Sequence, residues 1–510
     1  MFSTVLSACL QGLCVDFVQV EADVSNGLPM FHLVGYLSSE VKEAGERVRT
    51  AIRNAGVKLP AQKIVVNLAP ANIKKKGTIY DLAIAVAVLA AYQAVPQNRL
   101  ANTLFVGELS LDGSIKGVRG ILPIVTAAKK QGYTCCVLPK ANQKEGELVE
   151  GIRVIGVAQL CEVLDYLKGK RCGTQEFSAV ELLERQAQYE DFSDIRGQHL
   201  TKRAVEIAVA GGHNILMLGP PGAGKTAIAK RIPGILPPLT KEESLELTMI
   251  YSIIGELEES APLKTERPFR EVNAAITQVG LLGGGIYPGP GEISLAHKGI
   301  LFMDEITEFP RRVLESLRRP LEEQWIKIVR EKGEYQFPAD FLLVAAMNPC
   351  PCGNYPDLDK CTCTTAQRTA YLGKLSQPFL DRIDLCVEVP KVRFTDLSEP
   401  SQEESSDAIR ERILKAREIQ TERYKNVDIQ TNARMGIKNI ERYCTLESRE
   451  HEMMQQAYER LNLTARTYHK VLCVARTIAD LEGEQRIQEK HLREALGYRM
   501  LDDKYRRYER

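Results

Sequence analysis

The chain has 510 residues, and its 67 lysines and arginines nearly balance its 66 aspartates and glutamates. Such a length predicts roughly two to four domains, and the balanced charge excludes a uniformly basic surface, so any nucleic-acid contact must come from a local basic patch. The 13 scattered cysteines favour a reducing compartment, and the longest apolar run, residues 82–92, is too short to span a bilayer, so we expect a cytoplasmic protein with no membrane contact.

Residues 1–170 alternate patterns typical of strands and of helices, which predicts a first α/β domain. Within it, KIVVNLAP (63–70) is typical of a buried strand, YDLAIAVAVLAAY (80–92) of a buried helix, and TLFVGELSLDGSIKG (103–117) of a hairpin. The polar residues 171–195 are predicted to form a linker.

Residues 196–395 predict a second α/β domain, with strands at NILML, GILFMDE and FLLVAAMN. After an acidic and serine-rich connection, residues 396–510 show amphipathic helical patterns with few strand signals, which predicts a helical domain. The predicted fold class is therefore multidomain α/β.

The sequence GPPGAGKT, residues 219–226, matches the pattern G-x-x-x-x-G-K-[ST] and is here called the phosphate loop. It follows an apolar strand pattern and leads into a helix pattern, which is the context that makes the motif specific. Backbone N–H groups of such a loop surround the β-phosphate of a nucleotide, while Lys225 would reach the β- and γ-phosphates and Thr226 would hold Mg²⁺. The predicted nucleotide-binding residues are Gly219, Pro220, Pro221, Gly222, Ala223, Gly224, Lys225 and Thr226.

Two further strand patterns end in polar residues that suit nucleotide hydrolysis. GILFMDE ends in Asp304, which would support Mg²⁺, and Glu305, which would polarise the attacking water. Taken alone, such a pair is more often a solvated strand end, but it lies about 80 residues after a phosphate loop. FLLVAAMN ends in Asn348, whose side chain could hold the same water near the γ-phosphate.

Arg382 lies in FLDRIDL, just before another apolar segment. An arginine in a short element of this kind suits a finger that reaches the nucleotide of a neighbouring subunit. The simpler alternative is a surface ion pair with Asp381 or Asp384.

Four cysteines lie close together in NPCPCGNYPDLDKCTCT, residues 348–364, here called the cysteine loop. Two C-x-C arms separated by eight residues could supply the four thiolates of a closed structural Zn²⁺ site, although C-x₂-C arms are more usual. Free thiols and an iron–sulfur cluster are the alternatives. The predicted zinc ligands are Cys350, Cys352, Cys361 and Cys363.

Several phrases together resemble one family. GLPMFHLVGY, VNLAPANIKKKG, GGGIYPGPGEISLAHKG, MNPCPCG and LDRIDL are similar to the YifB/ComM family of magnesium-chelatase-like AAA+ ATPases, and the likeness covers nearly the whole chain. The resemblance implies ATP and Mg²⁺ as cofactors and an AAA+ core followed by a helical lid. A member of that family is a hexameric helicase that drives branch migration during natural transformation. The resemblance therefore implies an ATP-dependent DNA translocase that forms a hexameric ring and acts on single-stranded and branched DNA.

The family motifs assign roles to individual residues of this chain. They place Lys225 and Thr226 in Walker A, Asp304 and Glu305 in Walker B, Asn348 at sensor 1, Arg382 at the arginine finger and Arg466 at sensor 2. Arg476 is the alternative for sensor 2, because it lies on the same helical pattern.

The family also implies two elements that face DNA. One is an insert in the second helix of the core, GLLGGGIYPGPGEIS, and the other is a hairpin before sensor 1, WIKIVREKGEYQFPADF. Arg330 and Lys332 at the hairpin tip would contact phosphates in a central pore. A solvated tip without a ligand is the alternative.

The first domain resembles the Lon-type protease fold. The stretch that corresponds to the nucleophile has no serine, and the position of the catalytic lysine holds Leu122 or an apolar neighbour. We therefore expect a catalytically dead domain that serves as a collar, which argues against an ATP-dependent protease. A chelatase-like or protein-remodelling ATPase that acts on a protein client is the alternative to the DNA motor.

Overall fold

The structure of the protein, a computed structural model, describes residues 1–170, 189–286, 288–330, 333–392 and 403–506. Most of the predicted linker, together with Lys332 of the hairpin tip, lies outside these described residues. The predicted multidomain α/β class is confirmed, because a mixed sheet and a parallel sheet are followed by a group of helices.

The first sheet has the strand order β3-β4-β2-β1-β5-β8-β9 and is mixed, with antiparallel pairs at β1–β2 and β2–β4. The predicted strand, helix and hairpin are present as β4, α3 and β6–β7, but β4 is buried only at alternate residues, because one face of the strand packs on the core. Every residue of α3 is buried, as expected of a helix that is apolar all round. The elements of this part are β1 Phe2–Gln11, β2 Cys14–Ser25, β3 Met30–Val34, α1 Ser39–Lys42, α2 Ala44–Asn54, β4 Lys63–Ala69, α3 Asp81–Ala91, β5 Thr103–Phe105, β6 Glu108–Leu109, β7 Ile115–Lys116, α4 Ile121–Lys130, β8 Cys135–Pro139, α5 Gln143–Glu147, β9 Arg153–Val157 and α6 Leu160–Leu167.

The second sheet is parallel throughout and has the order β11-β14-β17-β10-β18. Strands β10, β14 and β17 are buried at every residue, as expected of a parallel sheet covered on both faces. Parallel strands bring their carboxyl ends to one edge, where open α/β sheets bind ligands. The elements here are α7 His199–Gly211, β10 Ile215–Leu218, α8 Lys225–Arg231, α9 Lys241–Ile254, β11 Phe269–Val272, α10 Gln278–Leu282, β12 Gly283–Gly284, β13 Gly289–Pro290, α11 Glu292–Leu295, β14 Ile300–Met303, α12 Arg311–Ser316, α13 Pro320–Glu323, β15 Trp325–Arg330, β16 Gly333–Pro338, β17 Leu342–Met347, α14 Thr365–Leu372, α15 Gln377–Leu380 and β18 Leu385–Glu388.

The C-terminal helices, here called the lid, pack on the parallel-sheet domain around a buried polar network. Asp480 is fully buried and accepts hydrogen bonds from Arg423, Arg476 and Asn432, which ties three lid segments together. A satisfied network of this kind specifies one packing arrangement, because any unpaired member would be costly to bury. The lid elements are α16 Ser406–Tyr424, α17 Ile437–Tyr443, α18 Ser448–Arg460, α19 Ala465–Leu481 and α20 Glu489–Arg506.

Asp340 connects the lid to the sheet domain. It accepts from Arg434 of the lid at 2.8 Å and from Lys298 at 3.0 Å. Burial alone would raise the pKa of Asp340, but the two cations outweigh it and lower the pKa to about 2. The carboxylate is therefore charged at neutral pH and joins both parts of the chain.

The first domain packs on the parallel-sheet domain through α4 and α9. The backbone N–H of Gly120 donates to the carbonyl of Ser252 at 3.0 Å, and the Ser252 hydroxyl donates to Glu145. Leu122, at the position where the protease resemblance would place a lysine, is fully buried beside Leu148 and Leu263. This contact fixes the first domain on the parallel-sheet domain. Among the described residues, no helix is long and apolar enough to cross a membrane.

Candidate nucleotide site

The structure brings together the polar residues that end β10, β14 and β17. The phosphate loop follows Leu218, Asp304 follows Met303, and Asn348 follows Met347, all at the carboxyl edge of the parallel sheet. The Thr226 hydroxyl donates to Asp304 Oδ2 at 2.7 Å. Both oxygens therefore point into one space, and hard oxygen ligands of this type are what Mg²⁺ prefers.

Lys225 lies within the same space and is only 8% exposed. Its Nζ donates to the carbonyl of Gly219 at 2.6 Å, to the carbonyl of Pro220 at 3.1 Å and to Asn348 Oδ1 at 3.1 Å. Burial lowers the pKa of Lys225, while the carboxylates of Asp304 and Glu305 oppose that shift. The ammonium is held by its own loop and by the predicted sensor 1 side chain, at the position where phosphate oxygens would replace these acceptors.

Glu305 directly follows Asp304 and is exposed to solvent. Its backbone has a φ of 47°, in the left-handed region that glutamate rarely adopts, and its N–H donates to Asp304 Oδ1 at 2.9 Å. A non-glycine residue held in this conformation is a common mark of a functional site. The carboxylate of Glu305 is near enough to Lys225 to oppose the lowering of its pKa, which places Glu305 at the same site.

Arg382 lies at the amino ends of the parallel strands, opposite the carboxyl ends where the phosphate loop lies. Asn214 Nδ2 donates to its carbonyl at 3.0 Å, and Asn214 immediately precedes β10, whereas the phosphate loop follows that strand. From Asn214 to Gly219, the first residue of the phosphate loop, the extended chain advances roughly 16 Å, at about 3.3 Å per residue. The Arg382 side chain is therefore too far from the phosphate loop of its own subunit to contact a nucleotide bound there.

The guanidinium of Arg382 is instead tied to neighbours within its own chain. Nε donates to the carbonyl of Arg318 at 3.0 Å, Nη1 donates to the carbonyl of Pro378, and Nη2 pairs with Glu322 at 2.9 Å. Burial, with Arg318 nearby, lowers the pKa of Arg382. The ion pair with Asp381 or Asp384 that sequence reasoning offered as the alternative is replaced by one with Glu322, a residue the sequence analysis missed.

Arg466, the predicted sensor 2 residue, pairs with the same Glu322 carboxylate. The arginine of the lid and the arginine of the core therefore share one counter-ion, with Arg382 buried and Arg466 exposed. Arg476, the alternative for this role, is 2% exposed and donates to Asp480 and to the carbonyls of Glu484 and Gln485. It is a packing residue of the lid and lies outside the arginine pair.

The cysteine loop folds so that its four thiol sulfurs all lie within 4.8 Å of one another. The sulfur of Cys350 is 3.4 Å from that of Cys352 and 3.8 Å from that of Cys361, and the sulfurs of Cys352 and Cys361 are 3.6 Å apart. Four sulfurs about 2.3 Å from one Zn²⁺ in a tetrahedron would be about 3.8 Å apart, so the cluster has nearly the dimensions of such a site.

The predicted hairpin before sensor 1 is present as the antiparallel pair β15–β16. Its base is apolar, with Ile326 and Phe337 buried, and its outer residue Arg330 is exposed. The glycine-rich insert forms a second short pair, β12–β13, and Gly284 of this pair lies next to the Arg330 guanidinium. The two elements predicted to face DNA are therefore neighbours.

The fold and this site define a P-loop nucleotide-binding protein of the AAA+ type with a helical lid. Three family models match consecutive parts of the chain: subunit ChlI of Mg-chelatase over residues 20–142, magnesium chelatase, subunit ChlI over 191–397, and magnesium chelatase, subunit ChlI C-terminal over 403–499.

Individual relatives are similar over nearly the whole length. The competence protein ComM of Haemophilus influenzae is 42% identical over 503 residues, which covers 98% of this chain and 97% of the relative. The uncharacterized protein YifB of Escherichia coli is 41% identical over 486 residues, which covers 95% and 94%. The DNA repair protein RadA of Streptococcus pneumoniae is 36% identical over 112 residues, which covers 22% and 26%. The chain belongs to the YifB/ComM family of magnesium-chelatase-like AAA+ ATPases, and this membership implies ATP and Mg²⁺ as its nucleotide and metal.

Proposed function

We propose that the chain is an ATP-dependent DNA translocase that works as a hexameric ring and promotes branch migration in homologous recombination, as in natural transformation. The main support is that two groups of residues lie at opposite ends of the parallel strands. The residues proposed for hydrolysis lie at the carboxyl ends, and Arg382 lies at the amino ends. Glu305 and Arg382 of one chain cannot act on the same nucleotide. They can act together only across a contact between two subunits.

Head-to-tail contacts of this kind close into a ring when the rotation between subunits permits it. In such a ring each nucleotide lies between the phosphate loop of one subunit and the arginines of the next. Lys225 would hold the phosphates, Thr226 and Asp304 would hold Mg²⁺, and Glu305 would polarise water with help from Asn348. Arg382 and Arg466 of the neighbour would then stabilise the charge that develops on the phosphoryl group.

DNA as the substrate is supported by the hairpin and the insert. Arg330 is exposed at the hairpin tip beside Gly284 of the insert, so a cation that could contact DNA phosphates lies where both predicted DNA-facing elements meet. A ring concentrates such residues in its lumen, so DNA binding is compatible with a net charge of only +1. The names of two relatives, a competence protein and a DNA repair protein, point the same way.

Zn²⁺ is the metal that we propose for the cysteine loop. The donor set is four sulfurs, the separations are close to those of a tetrahedral site, and Cys350 is buried while the other three are partly buried. A closed site of this kind leaves no open coordination position, so its role is structural.

We also propose that the first domain has a Lon-type fold without peptidase activity. The position expected for the base holds Leu122, which is packed against α9 and cannot take up a proton. The domain would act as a collar on the ring. Degradation of casein in the presence of ATP would contradict this assignment.

The motor is tested by ATP-dependent branch migration on a labelled four-strand junction, with Glu305→Gln as the paired variant. We expect the wild type to move the branch point and the variant to bind ATP and DNA without moving it. Hydrolysis by the wild type without any strand movement, at a rate that DNA leaves unchanged, would contradict the proposal.

A protein client is the second candidate, and the family models favour it, because all three name a subunit of magnesium chelatase. In that case the same ring would remodel a partner protein. Stimulation of ATP hydrolysis separates the two candidates: single-stranded DNA should raise the rate of a DNA motor, whereas a remodelling ATPase should respond to its protein client and ignore DNA.

A further inference from the structure

The cysteine loop lies directly against the phosphate loop. Gly353 directly follows Cys352, one of the predicted metal ligands, and has a φ of +78°. A Cβ built on Gly353 would lie 2.4 Å from Pro221 Cδ of the phosphate loop. No side chain fits there without displacing one loop from the other. The close approach of these two backbones explains why a glycine follows Cys352.

The cysteine loop is also linked to the other wall of the nucleotide site. Asn348, which accepts a hydrogen bond from Lys225 at 3.1 Å, is separated from Cys350 by a single proline. The N–H of Gly353 donates to the carbonyl of Cys350 at 2.9 Å, which closes a tight turn between the two contacts. The cysteine loop therefore contacts the phosphate loop through Gly353. It also begins at Asn348, the residue that directly follows β17.

We propose that a metal ion in the cysteine cluster holds the phosphate loop in the shape that binds nucleotide, so that loss of the metal weakens ATP binding. The inference rests on the zinc site proposed above and assigns it a role in the ATPase cycle. Without a metal, the arms of the cysteine loop are joined by backbone hydrogen bonds such as Gly353 N–H to Cys350 and by contacts between thiols, which hold them less firmly than four metal–sulfur bonds would. A bound metal would cross-link the two C-x-C arms, so that Gly353 is held in a fixed position against Pro221.

The first experiment measures metal content and nucleotide affinity on the same full-length protein. Zinc per chain is determined by atomic emission, and affinity is determined from the fluorescence of a labelled ATP analogue at constant excess Mg²⁺, without DNA. We expect one zinc per chain, a loss of affinity of about tenfold to a hundredfold after zinc removal, and recovery on addition of ZnCl₂. Protein without zinc as purified, or zinc-free protein that binds the analogue as before, would overturn the proposal.

Gly353→Ala separates the contact from the metal, because it keeps all four cysteines. We expect this variant to retain zinc and to lose affinity for the analogue, since its Cβ would push Pro221 away. The matched control is Gly483→Ala, where φ is +71° and a Cβ meets nothing within 4 Å, so the backbone strain is similar and the phosphate loop is untouched. Equal affinities in the two variants would refute the contact as the route of coupling.

Cys361→Ser together with Cys363→Ser removes one metal-binding arm, and Cys14→Ser is its control, because Cys14 is an exposed thiol on β2. We expect only the first variant to lose zinc and nucleotide affinity, with thermal unfolding confirming that both are folded. Because DNA is absent from every arm, a failure of the motor and a failure of this coupling are distinguishable. A protein that binds ATP only with zinc but moves no DNA would refute the motor alone.

Discussion

Two inactive variants should restore activity to each other when they share a ring. Arg382→Ala leaves a subunit with an intact phosphate loop and an intact Glu305, while Glu305→Gln leaves a subunit with an intact arginine pair. In a ring, the nucleotide of an Arg382→Ala subunit can face the arginines of a Glu305→Gln neighbour. That interface contains every group that we propose for hydrolysis.

The expected magnitude follows from counting interfaces. Arg382→Ala alone should lose roughly 10³-fold or more in ATPase rate, because an arginine finger is worth about that much. We expect a loss of similar size for Glu305→Gln alone, because it removes the carboxylate that polarises water. In an equal mixture, half of the phosphate loops keep Glu305 and half of their neighbours keep Arg382, so about a quarter of the interfaces are complete. The mixture should therefore recover about a quarter of the wild-type rate, which is hundreds of times the rate of either variant alone.

The assay is steady-state ATP hydrolysis after the two variants are mixed, dissociated at high salt and reassembled, with sizing to show that rings have formed. Arg319→Ala is the matched control, because Arg319 is 75% exposed and makes only a surface pair with Glu323. It should keep wild-type activity. A reassembled mixture that is no faster than the mean of its two components would show that Arg382 does not act across the subunit contact.

Three further predictions concern the lid and the hairpin. Asp480→Ala should lower the free energy of unfolding by about 3–5 kcal/mol in urea denaturation, because it leaves Arg423 and Arg476 without their buried carboxylate; a loss below about 1 kcal/mol would contradict the network described here. Asp340→Asn should lower the free energy of unfolding by up to about 2 kcal/mol at pH 7. The lowered pKa of Asp340 gives stability that is present above about pH 4 and is lost as the pH falls towards 2. The stabilities of the wild type and the variant should therefore converge in acid denaturation. Arg330→Ala should weaken binding of single-stranded DNA and reduce the salt dependence of its affinity by about one unit of slope in a fluorescence titration; an unchanged slope would place DNA elsewhere.

The local sequence was sufficient for the nucleotide side of the site. An apolar strand followed by GPPGAGKT, and a second strand that ends in Asp304 and Glu305, predicted elements that the structure contains at the same edge of one sheet. These predictions succeed because the signal of each element lies within its own segment, and because parallel strands bring their ends together.

Contacts between distant segments could not be predicted in the same way. Glu322 is 60 residues before Arg382 and 144 before Arg466, and nothing in the acidic pattern around it distinguishes it from Glu323, which pairs instead with Arg319 at the start of its own helix. Arg466 and Arg476 lie on one helix with identical local signals, and only the packing of the lid shows that the second is buried. The contact between Gly353 and Pro221 likewise depends on how two loops meet in space.

The single carboxylate of Glu322 has a consequence for the isolated subunit. It neutralises one cation from the core and one from the lid, so a subunit without a neighbour holds both arginines folded back against its own surface. On the proposal made above, a chain in this state would bind ATP but would lack the groups that accelerate its cleavage. Because both cations share one counter-ion, release of either leaves the whole charge of the Glu322 carboxylate to the other and removes the repulsion between them. In the proposed ring, ATP hydrolysis would thus begin only with assembly, and the second arginine would be harder to release from Glu322 than the first.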